Sequence, residues 1–272
     1  MQRETISQVF PKPRATRTGV GKTPLRRFAP LLTLVVVLAL WQVVAALRIY
    51  PPFIIPSPGA VVETFYEVLL DGRLWFHTST TLVEVFGGLL IGVSLGLALG
   101  YLIARSRVLE DLLSPLIVML QSTPVVAYAP LLVIWFGSGP SSKVLTCALI
   151  VFFPVLMSTV VGLRNTPSSL RDLMRSLEAS RWQMLTRLEL PAALPVLLSG
   201  LKTSATLAVI GAVVGEFVSA NAGLGFLVNL ARNQYDTPLV IVAVLTLAFI
   251  ARTLYGLVTL LENRALRWQR RG

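Results

Sequence analysis

Histidine and cysteine each occur only once in these 272 residues, as His77 and Cys147. One cysteine excludes an intramolecular disulfide and any cysteine-rich metal site. No cysteine, histidine or carboxylate cluster surrounds His77, so no metal site is indicated and a solvated or helix-capping role is expected for it. No nucleophile is paired with that histidine, and catalysis is not indicated. Charge is scarce as well: 14% of residues are charged and 54% hydrophobic, far from the balance of a soluble globular domain. This is the composition of a membrane protein. Acidic residues are the minority sign, 13 against 24 basic, leaving a net charge of +11. The basic residues sit at the ends of apolar runs, which favours lipid topology over nucleic-acid binding. A phosphate loop is missing too. The run GVGKT at Gly19 to Thr23 has Thr16 where the motif needs glycine, and no apolar strand precedes it, so any ATP is expected to be hydrolysed by another chain.

What is present is a series of apolar runs. Ala29 to Leu47 is 19 residues long, longer than a signal-peptide core and close to the roughly 20 residues that cross about 30 Å of hydrocarbon. Five further spans follow at about Leu82 to Ala104, Leu112 to Phe136, Val144 to Leu163, Leu194 to Val218 and Leu239 to Leu261. The expectation is an all-α membrane protein with six transmembrane helices. With the amino terminus inside, the inner segments carry 18 Lys/Arg and the outer segments four, Arg48, Arg73, Lys143 and Arg232, which places both ends in the cytoplasm. The resulting plan is a basic cytoplasmic tail over 1–28, a first span over 29–47 and an extracytoplasmic segment over 48–81. A five-helix core over 82–262 follows, with a cytoplasmic loop at 164–192, and then a basic tail over 263–272. In the extracytoplasmic segment Val61 to Leu70 reads as a short amphipathic helix. Ser219 to Pro238, with Ala222-Gly223-Leu224-Gly225-Phe226, reads as re-entrant or interfacial.

Candidate functional positions fall in three groups. Gly88, Gly92, Gly96 and Gly100 recur every fourth residue and form a groove into which a neighbouring helix backbone can pack. Gln121, Ser122, Thr123 and Pro124 interrupt the third span, and Pro130 does so again; polar side chains and helix breakers at that depth are tolerated where they line a wet cavity. Gln121, Ser122, Thr123 and Tyr128, with Glu216, are therefore expected along a translocation path. Glu84, Glu216, Lys202 and Arg252 are ionisable groups in or near spans, and each is either a substrate or gating contact or part of a structural ion pair. The third group is the loop Pro167 to Lys202. Ser169 and Asp172 have capping-box spacing, and Leu170, Leu173, Met174 and Leu177 then recur at helical spacing to give one apolar stripe. Arg171, Arg175 and Arg181 surround it. The helix is expected to end near Leu190, before Pro191. Such a stripe reads as a docking element for a partner protein, with a helix lying on lipid as the rival reading.

Over about Pro51 to Leu266 these features resemble the permease subunits of ATP-binding-cassette importers, in the group that includes sulfonate, taurine, nitrate, thiamine-pyrimidine-precursor and riboflavin permeases. The family's loop carries Glu-Ala-Ala, three residues, Gly, and later Leu-Pro. Here Asp172 takes the Glu position, Leu173 and Met174 the two Ala positions, Glu178 the Gly position, and Leu190-Pro191 the closing dipeptide. The Ala179 to Gln183 run and Trp135-Phe136-Gly137 also look like this group. The resemblance implies the type I ABC importer permease fold with a cytoplasmic coupling helix, in the bacterial plasma (inner) membrane. It implies a second permease copy, two ABC ATPase subunits that hold the ATP and magnesium, and an extracytoplasmic substrate-binding protein; no cofactor is bound by this chain. ATPase coupling would fall to Leu170, Asp172, Leu173, Met174, Arg175, Leu177, Glu178, Ala179, Arg181 and Trp182. Ala208 to Leu261 most resembles the riboflavin and pyrimidine-precursor permeases, so a small heterocycle is the expected cargo, with sulfonate-, taurine- or nitrate-like anions next. An ion-coupled carrier is the alternative of another class.

Overall fold

In the computed structural model of the chain, residues 24–267 are described. The tail at 1–23, including the GVGKT run, and residues 268–272 lie outside the described residues. The chain divides into two units at Ile49 and Tyr50. The first contributes one helix, α1 (Pro24–Ala46), of which Leu31–Ala46 is an uncharged apolar stretch.

The second unit is all helix and connection. It contains α2 (Pro58–Leu70), α3 (Arg73–Arg105), α4 (Arg107–Ser122), α5 (Ala129–Phe136), α6 (Pro140–Arg164) and α7 (Ser168–Ser176). The four-residue α8 (Arg181–Met184) follows, then a π turn (Leu185–Glu189), α9 (Leu190–Val218), α10 (Leu224–Asn233) and α11 (Thr237–Ala265). No strand occurs among the described residues. Local sequence accounts for several starts. Ser57 accepts the Ala60 N–H at 3.2 Å ahead of Pro58, Ser106 accepts the Leu109 N–H at 3.3 Å, and Asp236 accepts the Leu239 N–H at 3.1 Å. Each satisfies a first-turn donor that has no partner inside its helix.

Among the described residues, four helices are long and apolar enough to cross a membrane: α3, α6, the continuous helix Arg181–Val218, and α11. The third expected span is a bent pair, α4 followed by a 3₁₀ turn at Val125–Ala127 and α5, with an 83° bend. Six spans are reached only when that pair and α1 are each counted as one. Pro130 does not interrupt the span; it opens α5, where its missing N–H is no loss. α3 and α6 begin earlier than hydropathy indicates, at Arg73 and Pro140. Two turns of α3 and the whole of α2 thus occupy the segment expected to lie outside. The helix does not end at Leu190 either. Pro191 is accommodated because the π turn before it shifts the hydrogen-bond register and relieves the clash its ring would make with the preceding turn.

α3 and α6 share the most extensive interface, and α9 packs against both of them, chiefly against α6. The four-residue glycine series is the reason α3 and α6 come so close. A Cβ added at Gly92 would stand 2.6 Å from the Ala148 carbonyl oxygen, and one at Gly96 2.9 Å from that of Phe152. α9 comes equally close to the same part of α6, where a Cβ on Gly211 would meet the Cys147 Cα at 2.7 Å. Cys147 is fully buried between them, its Sγ 3.3 Å from the Ala208 carbonyl oxygen. α11 turns Leu239, Val242, Ala243, Leu247, Ile250, Leu254 and Val258 inward at helical spacing and leaves Leu245, Phe249 and Leu257 exposed, as a lipid-facing helix does.

Gly92→Val is expected to destabilise the protein by about 1–3 kcal/mol, because the added methyls have no room to relax into. Leu90→Ala, on the exposed face of the same helix, should stay within about 0.5 kcal/mol. Thermal unfolding in detergent measures both, and equal midpoints for Gly92→Val and the parent would sink the close-packed seam.

Candidate functional site

α7 and its flanks form the segment expected to dock a partner. Its apolar stripe is open: Leu170, Leu173 and Leu177 are 42%, 55% and 68% exposed, and Met174 is half-buried. Arg175 and Asp172 pair with each other at 3.1 Å on the exposed surface, a contact worth little by itself. The capping box is not at Ser169. Pro167 is the N-cap of α7, so Ser169 lies inside the first turn, where its hydroxyl cannot reach back to cap. The reciprocal pair falls instead at α8: the Ser180 Oγ accepts the Gln183 N–H at 3.2 Å and the Gln183 side chain accepts the Ser180 N–H at 2.8 Å. Arg181 and Trp182 belong to this first turn, and Trp182 is exposed.

Glu178 explains how the motif's departure from the family pattern is absorbed. It adopts φ +53, the left-handed region that glycine enters freely. The Glu178 N–H donates to the Arg175 carbonyl at 2.9 Å and the Ala179 N–H to the Met174 carbonyl at 3.0 Å, so α7 ends in a Schellman motif with glutamate in the position glycine usually fills.

Arg171, by contrast, turns toward the bundle. Its Nη2 donates to the Leu163 carbonyl at 2.7 Å and its Nε lies 3.6 Å from Glu189. Arg105, the last residue of α3, reaches the same carboxylate with both Nη atoms, at 3.1 and 2.5 Å. Glu189 is buried in the π turn. One carboxylate therefore links α7, α3 and α9. Sequence reading missed Glu189; the available signal was a single acid in the apolar Leu188-Glu189-Leu190-Pro191 run.

The expected path residues separate. α4 ends at Ser122, Thr123 is extended and Pro124 begins the turn. Gln121 and Ser122 are exposed, Thr123 and Tyr128 half-buried. The Ser122 and Thr123 hydroxyls donate back to the Val118 and Met119 carbonyls at 2.8 and 3.1 Å. Glu216 is not with them. It is buried, and its partners come from α3 and the start of α10.

Those partners form a buried polar network at the end of the bundle away from α7. The Thr81 hydroxyl donates to Glu216 Oε1 at 2.6 Å and itself accepts the Leu224 N–H at 2.8 Å. The Gly225 N–H donates to Glu216 Oε2. The Gly223 N–H donates to the His77 Nδ1 at 3.0 Å. His77 is thus buried and acts as an acceptor, not solvated or capping, because the 219–223 loop folds over the start of α3. Glu84 is buried beside Glu216, and Lys143 lies close enough to both to act on them electrostatically. Lys143 was read as an outer-loop cation; it sits buried in the first turn of α6, its Nζ donating to the Ser138 and Gly139 carbonyls. Gly223 makes this possible: it has φ +110, and a Cβ there would strike the Glu216 carboxyl. Of the other intramembrane charges, Lys202 pairs with Glu262 of α11, and Arg252 is exposed.

The network places a carboxylate at the N-terminus of α10, where free N–H groups and the helix dipole favour it. Gly223→Ala should therefore loosen α10 and cost about 2–4 kcal/mol through a strained φ and a displaced buried carboxylate; a thermal midpoint equal to the parent's would contradict the arrangement. Glu178→Gly should act in the opposite direction. Relief of the left-handed strain, about 1–2 kcal/mol, is only partly offset by the freer unfolded chain. Hydrogen-exchange protection of the Ala179 amide should rise roughly two- to fivefold. Reduced protection would contradict it.

Comparison with known proteins gives concordant results. Residues 92–267 match the family described as binding-protein-dependent transport system inner membrane component. The riboflavin transport system permease protein RibX of Chloroflexus aurantiacus is 48% identical over 259 residues, 93% of this chain and 97% of that protein. The putative aliphatic sulfonates transport permease protein SsuC of Bacillus subtilis is 34% identical over 261 residues, 94% of this chain and 95% of that protein. Among solved structures, a chain of the inward-facing MetNI methionine ABC transporter superposes with a TM-score of 0.58 at 20% identity, covering 72% of this chain and 96% of that one. At that identity the likeness concerns the fold, which is that of type I importer permeases.

Proposed function

Because the chain belongs to the binding-protein-dependent transport system inner membrane components, the multi-pass permeases of ABC importers, we propose that it is the translocating half of an ATP-driven importer of a small heterocycle, riboflavin first and a thiamine pyrimidine precursor second. Two copies of the chain form the path, with both termini on the cytoplasmic side, a reading supported by the excess of basic residues in the segments taken as inner. ATP and magnesium reside in separate ATPase subunits, and an extracytoplasmic binding protein delivers the cargo. The observation that carries the docking role is the exposed stripe of Leu170, Leu173 and Leu177 on a helix tied to the bundle through Arg171. Apolar knobs of this kind, left open in one chain and rimmed by Arg175 and Arg181, are what a groove on a partner buries. Asp172, Met174 and Ala179 complete the helix surface, and Trp182 extends it onto α8.

The path is assigned to the bend at Gln121, Ser122, Thr123 and Tyr128. Irregular backbone and polar side chains at membrane depth need a wet cavity or protein around them, and in one copy Gln121 and Ser122 are uncovered. Glu216 is given a structural role instead, since its oxygens are engaged by Thr81 and the α10 backbone. The cargo assignment rests on the 48% identity to a riboflavin permease over nearly the whole chain. The 34% identity to an aliphatic sulfonate permease makes small organic anions the second reading.

Replacing Leu173 and Leu177 by aspartate should weaken ATPase retention by about thirtyfold or more, as loss of a buried anchor does, and abolish ATP-driven uptake with unchanged thermal stability. Unchanged co-purification and uptake would refute the docking role. In vesicles holding the permease, its ATPase and its binding protein, riboflavin uptake should require ATP; sulfonate uptake without riboflavin uptake would overturn the cargo assignment while leaving the docking role intact.

A further inference from the structure

A cavity of 1070 Å³ opens at the α7 end of the bundle, and transport as described above gives it no role. Its walls carry Arg105, Arg107, Arg164, Arg171, Arg175 and Arg181, with Glu110 and Glu189 as the carboxylates. Glu189 is engaged by Arg105 and Arg171, and Glu110 by Arg164. Arg175 pairs with Asp172, outside the cavity. Arg107, which lies near Glu110 without bonding to it, and Arg181 form no ion pair among the described residues. Six guanidiniums thus meet three carboxylates, Glu110, Glu189 and Asp172, and Arg107 and Arg181 are left without an ion pair among the described residues. An uncompensated excess of this size, enclosed on several sides, concentrates anions.

The position and geometry narrow the class of anion. Arg105 and Arg164 are the last residues of two membrane-crossing helices, so the cavity lies where chains leave the hydrocarbon and lipid phosphates begin. Two of the guanidiniums are held in place beforehand: Arg105 by its double bond to Glu189 and by the Tyr101 ring 5.3 Å below it, Arg164 by Glu110 and by the Ile103 carbonyl at 3.0 Å. With those forks taken, they shape and charge the wall, and the forks of Arg107 and Arg181, which have no ion pair among the described residues, match the oxygens of phosphate bidentately as a point charge does not. Arg171 reaches back toward the bundle while the apolar stripe of α7 is exposed. The cavity therefore lies behind the apolar stripe of α7, on its bundle side, and shares only Arg175, Ala179 and Arg181 with the rim of the surface given to the ATPase.

We propose that this cavity binds a phosphate-bearing anion, either the head group of an anionic membrane lipid or a soluble phosphate compound. The assignment is independent of the cargo, and because Arg181 also rims the docking surface, ATPase capture is read alongside phosphate binding.

Native mass spectrometry of the full-length chain in detergent, titrated separately with phosphatidylglycerol, phosphatidylcholine and inorganic pyrophosphate, tests it. Phosphatidylglycerol or pyrophosphate should bind more tightly than phosphatidylcholine. Arg107→Gln with Arg181→Gln should weaken that binding by about thirtyfold, the effect of two cations near a phosphate. Arg232→Gln with Arg252→Gln, on other surfaces, should leave it unchanged. Binding of phosphatidylglycerol without pyrophosphate assigns the lipid, and binding of both assigns a general phosphate site. If the glutamine pair lowers the thermal midpoint, the lysine pair at 107 and 181 is read in its place, keeping charge while removing the forks, and a measurable loss is again expected. Equal binding of the two lipids in the absence of pyrophosphate binding, or equal loss in both glutamine pairs, overturns the proposal. So does capture of the ATPase that depends on Arg107 and Arg181 while no phosphate probe binds, which would make the cavity an acidic-partner surface.

Discussion

The depth to which α6 sinks into the glycine face of α3 determines where most of the charged groups inside the bundle stand. Gly88 faces Cys147, Gly92 Val151, Gly96 Val155 and Gly100 Thr159, each residue opposite the one 59 positions later. A constant offset means that the two helices run parallel and in fixed register. Extended outward, the same register sets Glu84 beside Lys143 at one end and Arg105 beside Arg164 at the other. The first pair is an attractive one in a buried network. The second is a like-charge pair, tolerated because Glu189 and Glu110 each take one guanidinium. Backbone contact without side chains between them leaves little freedom to slide, since every shift of one turn would drive a Cβ or a carbonyl into its neighbour.

Periodicity in the sequence was sufficient for the glycine seam, the apolar stripe of α7 and the break at Gln121 to Pro124, because each depends on residues within a turn or two of one another. Helix ends were read less well, and for one physical reason. Arg73, His77 and Lys143 are polar and look like loop residues, yet the structure makes them helical and buries His77 and Lys143. Their hydrogen-bond partners make that burial tolerable: for Lys143 the carbonyls of Ser138 and Gly139, for His77 the N–H of Gly223, which is 146 residues away. A hydropathy window cannot register a partner so distant. Pro191 was misread for a related reason, since a local rule against helix at proline takes no account of a π turn that makes room for it. Glu189 escaped notice because its two arginines come from α3 and α7, and neither is near it in sequence.

Glu189 also bears on what α7 can transmit. A buried carboxylate between two guanidiniums contributes little net stability, because removing the charges from water costs about as much as their attraction returns. Arg105 and Arg171 are each about a third exposed, at 40% and 31%, which lowers both the cost and the gain. Its effect is positional. The bridge ties the inner side of α7 to the end of α3 and the start of α9, while the Schellman motif closes α7 and the Ser180 cap starts α8 directly after it. A helix tied through Arg171 passes a push on its exposed leucines to the ends of the helices it is bonded to. An untethered one would bend or slip.

The helix that receives such a push is continuous from Arg181 to Val218, 38 residues or about 57 Å at 1.5 Å per residue. It begins beside α7 and ends at Glu216, whose carboxylate holds the N-terminus of α10 against α3. The two buried acids of α9 and its lead-in, Glu189 and Glu216, therefore sit at opposite ends of one rod, each bonded to α3. Because α3 is bonded at both ends, a tilt of the rod about its glycine contacts with α6 must stretch one set of bonds when it relaxes the other. That geometry favours two discrete positions over a continuum. It places the limit on motion in the buried polar groups, while the apolar faces of α9 and α11 are free to slide against lipid.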